Sequence, residues 1–118
     1  MPFYTILKGL AEKIAASGAI MLDWEGEIVA SYASSPSIEI DLIGAHHGII
    51  LNIIKDASSR SSGKEVRSVS ITTSSTRLAI SPLKEGYYLV IITPRSVPIG
   101  KTLSEAKRAS LRLEEEMG

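Results

Sequence analysis

Three groups of residues in this 118-residue chain are of types that could do chemistry. Gly100-Lys101-Thr102 has the ending of a phosphate-binding loop, in which backbone N–H groups and a lysine cradle phosphates while a hydroxyl holds magnesium. That loop needs a glycine five residues before Gly100, where Arg95 stands, and Pro98 within the stretch has no N–H to offer. The segment reads instead as a loop leading into a capped helix. The only histidines, His46 and His47, are adjacent; on a helix they project about 100° apart and cannot share a metal ion, and Asp41 and Glu39 lie on other bearings. Serines are abundant, but none stands in the Gly-x-Ser-x-Gly turn that would expose a nucleophile. With no cysteine, disulfides, thiolate chemistry and Cys-based zinc sites are excluded. No catalytic constellation and no cofactor site emerges, and the expectation is a protein that is not an enzyme.

Composition removes further classes. Lys plus Arg (13) balances Asp plus Glu (13), so the basic excess that drives phosphate-backbone binding is missing. Arg60, Lys64 and Arg67 are not interleaved with Phe3, Tyr4, Trp24, Tyr32, Tyr87 or Tyr88 as a base-stacking platform requires, so no nucleic-acid partner is expected. Glu114-Glu115-Glu116 falls on the solvated side of an amphipathic helix. Charge is uneven along the chain: residues 1–59 sum to 3 − 7 = −4 and residues 60–118 to 10 − 6 = +4, which either orients a protein partner or draws the halves of one fold together. Apolar runs such as Ile49-Ile50-Leu51 and Leu89-Val90-Ile91-Ile92 fall far short of the ~20 residues that span a bilayer. The start, Met1-Pro2-Phe3-Tyr4-Thr5, lacks the pattern of a secretory signal, and a cytoplasmic location is expected. The length suits one core, so residues 1–118 are read as one domain.

The elements follow from periodicity and punctuation. Phe3, Leu7, Leu10, Ala11 and Ile14 form one helical face, with Gly18 available to end the helix. Ala19–Leu22 and Ile28–Tyr32 read as a hairpin around Asp23-Trp24-Glu25-Gly26, where Gly26 supplies the positive φ. A capping Ser before Pro36 opens a long central helix over Ile38–Ala57, followed by the polar loop 58–64. Three strands follow over Glu65–Thr73, Arg77–Leu83 and Tyr87–Thr93, with turns at 74–76 and 84–86. Thr102 and Glu105 form a Thr-x-x-Glu capping box ahead of a last helix whose face is Leu103, Ala106, Ser110, Leu113 and Met117. The order is αββαβββα. Ala19–Leu22 and Tyr87–Ile92 are apolar on both alternating faces and belong side by side at the centre of a sheet; the Ser/Thr-rich strand from Glu65 suits an edge.

The central helix is the informative element. Its apolar residues, among them Ile38, Leu42, Ala45, Ile49 and Ile53, cover an arc of roughly 240°, more than one core can take up. The part centred on Leu42 and Ile49 can pack on the sheet, leaving Ile40, Ile43, His47, Leu51 and Ile54 to be covered by another molecule. With Val69 and Ile71 of the edge strand, these residues form the expected dimer interface. Gly44 and Gly48, one turn apart, each cost about 1 kcal/mol in helix propensity and permit close approach of another backbone. The ridge of Asp41, Gly44, Gly48, Asn52 and Lys55 beyond the apolar arc is the expected partner-binding surface.

The chain resembles the Roadblock family, the dynein light chains and prokaryotic regulators of Ras-like GTPases. The resemblance lies in Gly18-Ala19-Ile20-Met21-Leu22-Asp23 with Gly26-Glu27-Ile28-Val29-Ala30, in Gly44-Ala45, in Leu78-Ala79-Ile80-Ser81-Pro82-Leu83, in Gly86-Tyr87-Tyr88-Leu89-Val90-Ile91 and in Ile99-Gly100. It implies an α+β, profilin-like sandwich: a five-stranded antiparallel sheet with helices on both faces, homodimerising through the central helix and the edge strand. It also implies that a small Ras-like GTPase docks on the dimer and that no chemistry belongs to Arg60, Arg67 or Arg95, the effect being a population shift of the partner. A light-chain-like dimerisation scaffold without GTPase regulation and a small-molecule sensor domain are the alternatives.

Overall fold

Ala19-Ile20-Met21-Leu22 has no polar position on either alternating face, so a strand built from it requires apolar cover above and below. The structure, a computed structural model describing residues 2–34, 69–72 and 76–118, places this strand inside a sheet. In chain order the described elements are α1 (Pro2–Ile14), β1 (Gly18–Leu22), β2 (Ile28–Ala33), β3 (Val69–Thr72), β4 (Thr76–Pro82), β5 (Tyr88–Pro94) and α2 (Ile99–Met117). The sheet order is β2-β1-β5-β4-β3, and each neighbouring pair is antiparallel. As expected, the two strands apolar on both faces are neighbours, with Ala19 opposite Ile91 and Ile20 opposite Val90, and the Ser/Thr-rich strand lies at an edge.

Alternation divides the core in two. On one face Ala19, Met21, Ala79, Leu89 and Ile91 pack with Leu7, Leu10 and Ile14 of α1 and with Ala106, Ala109 and Leu113 of α2. On the other, Ile20, Leu22, Ile80, Val90 and Ile92 form a second buried cluster with Leu78 and Tyr88 against it. Both described helices belong to the first face. The central helix expected over Ile38–Ala57, the loop 58–64 and the start of the strand expected from Glu65 lie outside the described residues.

Where elements end, the structure corrects the sequence reading at several points. Gly18 does not terminate α1 but opens β1. The helix stops at Ala15, whose φ of 56° is left-handed, while the N–H of Ala16 donates to the carbonyl of Ala11 at 2.8 Å. This closes the wrapped turn that normally selects glycine. Thr76, expected in a turn, is the first residue of β4. No capping box forms at Thr102: α2 begins earlier, with Pro98 at its N-cap, and the Thr102 hydroxyl, buried in the first turn, donates to the Pro98 carbonyl at 3.4 Å. Proline's fixed φ favours starting the helix beside it, which carries Thr102 past the capping position. Glu105 pairs instead with Lys13 of α1 at 3.2 Å. Glu114 is also not simply solvated, since its Oε2 accepts the backbone N–H of Lys84 at 2.7 Å and holds the β4–β5 turn against α2. The reading of Gly26 is confirmed by its φ of 85°.

Two substitutions test these local conflicts. Ala15→Gly relieves the Cβ penalty of a left-handed residue and should raise unfolding free energy by about 0.5–1 kcal/mol in a denaturant titration. Thr93 is fully buried in β5, and its Oγ1 has no hydrogen-bond partner among the described residues. Thr93→Val keeps the shape, removes an unsatisfied hydroxyl and should stabilise by about 1 kcal/mol; a loss of stability would show that the hydroxyl is satisfied.

Candidate protein-interaction surface

Arg77 shows how the outer part of the sheet is assembled. The first long side chain of β4, it donates through Nε to Thr72 Oγ1 of β3 at 3.3 Å and through Nη1 to the Val97 carbonyl, in the loop before α2, at 3.2 Å. One guanidinium thus joins the edge strand to the β5–α2 connection, using the rigid fork that distinguishes arginine from lysine. Sequence reading placed Arg77 only as the start of a strand; nothing local marks it, because Thr72 and Val97 become its neighbours only through strand pairing.

The edge itself consists of Val69–Thr72. Val69 stands in register with Ile80 and Ile71 with Leu78, so both predicted interface residues of this strand occupy register positions opposite residues of the second-face cluster. Ser70 and Thr72 are exposed. Among the described residues β3 pairs only with β4, leaving its outer N–H and C=O groups facing away from the sheet. The remaining predicted interface residues, Ile40, Ile43, His47, Leu51 and Ile54, lie outside the described residues, as do Asp41, Gly44, Gly48, Asn52 and Lys55 of the predicted partner ridge.

Gly100 and Lys101 are exposed in the first turn of α2, whereas Thr102 is buried with its hydroxyl bonded to Pro98, so the three residues present no joint phosphate cradle. Among the described residues no group of three His, Cys, Asp or Glu side chains could hold a metal ion, and no helix is long and apolar enough to cross a membrane. Between α1 and α2 a groove of about 300 Å³ is floored by Ile6, Leu10 and Ala109 and rimmed by Lys13, Arg108, Arg112 and Glu105. Glu105 lies 3.2 Å from Lys13 and 3.8 Å from Arg108, which makes this rim an ion-paired seam between the helices.

Trp24 and Arg95 lie at opposite ends of the sheet. Leu22, next to the Trp24 turn, pairs with Tyr88 at the start of β5, whereas Arg95 follows Pro94 at the opposite end of that strand, where Pro94 pairs with Thr76. What the fold sets against Trp24 is Tyr87, in an edge-to-face contact with ring centroids 5.6 Å apart.

Comparison with solved structures places this architecture. MglB from Myxococcus xanthus is similar with a TM-score of 0.82 at 16% identity, over 98% of this chain and 94% of that one. A Roadblock/LC7 domain from Streptomyces avermitilis gives 0.81 at 18%, over 97% and 96%. Profilin IB from Acanthamoeba castellanii gives 0.70 at 14%, over 98% and 99%. No curated protein sequence matches the chain. Identities this low establish a shared fold and nothing finer. The family assignment comes from the sequence itself, since the family model described as Roadblock/LC7 domain matches residues 3–93, which run from α1 through nearly the whole of β5. The chain belongs to the Roadblock/LC7 domain family.

Proposed function

We propose that this protein is a non-catalytic homodimer that binds a small Ras-like GTPase and modulates its nucleotide cycle. The family match over residues 3–93 is the observation that carries the reading. It is supported by a sheet that ends, among the described residues, on an edge strand open to pairing, and by a central segment carrying more apolar side chains than one sheet face can cover. In this reading two copies meet through Ile40, Ile43, His47, Leu51 and Ile54 and through the β3 edge at Val69 and Ile71. The isologous contact brings two ridges of Asp41, Gly44, Gly48, Asn52 and Lys55 onto one outer surface, where the GTPase docks. Such a regulator acts by binding one switch conformation of the GTPase more tightly than the other, which changes hydrolysis or exchange without supplying a reacting group.

The dimer is tested first. Light scattering at micromolar concentration should report twice the mass of the 12.7 kDa chain. Ile54→Asp would bury an unpaired carboxylate in the interface and should dissociate or unfold the dimer, whereas an Ile54 facing solvent would tolerate the change.

Docking is tested with Gly48→Leu. Leucine is the better helix former by almost 1 kcal/mol, so the variant should remain folded and dimeric while its added bulk blocks a cognate Ras-like GTPase. Unchanged GTPase affinity would remove the ridge from the docking surface. Unchanged GTP turnover by a GTPase that still binds wild-type protein would favour a scaffold without regulation.

A further inference from the structure

The chain's single tryptophan is held in the open. Trp24 is 58% exposed at the β1–β2 tip, although a large aromatic side chain gains most from leaving water. Its position is nevertheless fixed. Asp23 Oδ1 accepts the backbone N–H groups of Glu25 at 2.8 Å and Glu27 at 3.0 Å, and the Asp23 N–H donates to the Glu27 carbonyl at 2.9 Å. The Tyr87 ring meets the indole edge-to-face. Beneath it runs Gly86 with φ +80°, where a Cβ would come within 3.1 Å of the Trp24 Cβ, so the glycine lets the two turns close on each other. An exposed indole anchored by a rigid turn and a second aromatic ring is the type of residue that dominates binding at protein interfaces, because little further ordering is needed when a partner covers it.

The surrounding charge selects the partner. Glu25 and Glu27 follow Trp24 in the hairpin, and Glu85 precedes Gly86 in the facing turn; all three are exposed, and none forms an ion pair among the described residues. Lys84, the cation of that turn, is occupied elsewhere, its Nζ donating to the Gly118 carbonyl at 2.8 Å. A ring face offers negative potential to a cation, and a guanidinium can stack on indole while its N–H groups reach a carboxylate, which an ammonium cannot do with the same geometry. We propose that the Trp24–Tyr87 pair is a docking point for an arginine-bearing basic segment of a partner protein. This site lies at the hairpin end of the sheet, on residues other than those of the proposed GTPase ridge and dimer interface.

Because Trp24 is the only tryptophan, its fluorescence reports the site directly. Titration of the intact protein with a blocked hexa-arginine peptide should give a saturable spectral change that weakens as salt rises from about 50 to about 300 mM. Calorimetry with the same peptide should show about tenfold weaker binding to Trp24→Ala and to the Glu25→Gln/Glu27→Gln double variant, with circular dichroism confirming that both remain folded. A hexa-lysine peptide should bind more weakly than hexa-arginine. Equal binding by Trp24→Ala, equal response to a hexa-serine peptide, or no saturable change below about 1 mM hexa-arginine would each overturn the proposal. The first outcome would indicate diffuse charge attraction and the second an uncharged partner.

Discussion

The fold depends on the pairing of β1 with β5. Both strands are apolar on both alternating faces, and their register sets Ala19 and Met21 opposite Ile91 and Leu89 on one side and Ile20 opposite Val90 on the other. Each large aliphatic side chain so buried contributes about 1.5–3 kcal/mol, which commits both faces of the sheet to burial. A sheet of this kind cannot be a two-layer structure with a wet face. α1 and α2 satisfy the first face, and Ile20, Leu22, Ile80, Val90 and Ile92 are buried on the second, where neither described helix packs.

From that central pair outward, the sheet becomes progressively more polar. β4 carries Arg77 and Ser81, and β3 exposes Ser70 and Thr72. An edge that exposes Ser70 and Thr72 is protected from promiscuous association by its polarity while keeping backbone groups available for a specific match. Arg77 is central to this arrangement because its two hydrogen bonds tie the edge to the loop before α2, so the register of β3 is coupled to where the last helix begins. The helix seam is tied in a comparable way by Glu105, which joins α1 and α2 through Lys13.

Functional surfaces in such a protein are built from what the core leaves over. Among the described residues, the open backbone edge of β3 and the exposed indole of Trp24 are two chemically different remainders.

Composition and periodicity alone placed the described elements, the central position of β1 and β5 and the edge position of β3, because burial on both faces of a strand leaves an uninterrupted apolar run; the central helix expected over Ile38–Ala57 lies outside the described residues. They also determined that Gly100-Lys101-Thr102 was no phosphate loop, since Arg95 and Pro98 rule it out by residue type. Tertiary structure decided what depends on residues distant in the chain. Ala15 adopts the left-handed conformation in place of a glycine because the chain must turn immediately into β1. Thr102 is a core residue, since Pro98 starts the helix a turn earlier. Glu114 caps a turn 30 residues away, and Trp24 meets Tyr87, at the opposite end of β5 from Arg95. Local patterns encode which face of an element is apolar, but a hydrogen bond or ring contact across the fold exists only once strand order and register have brought its two ends together.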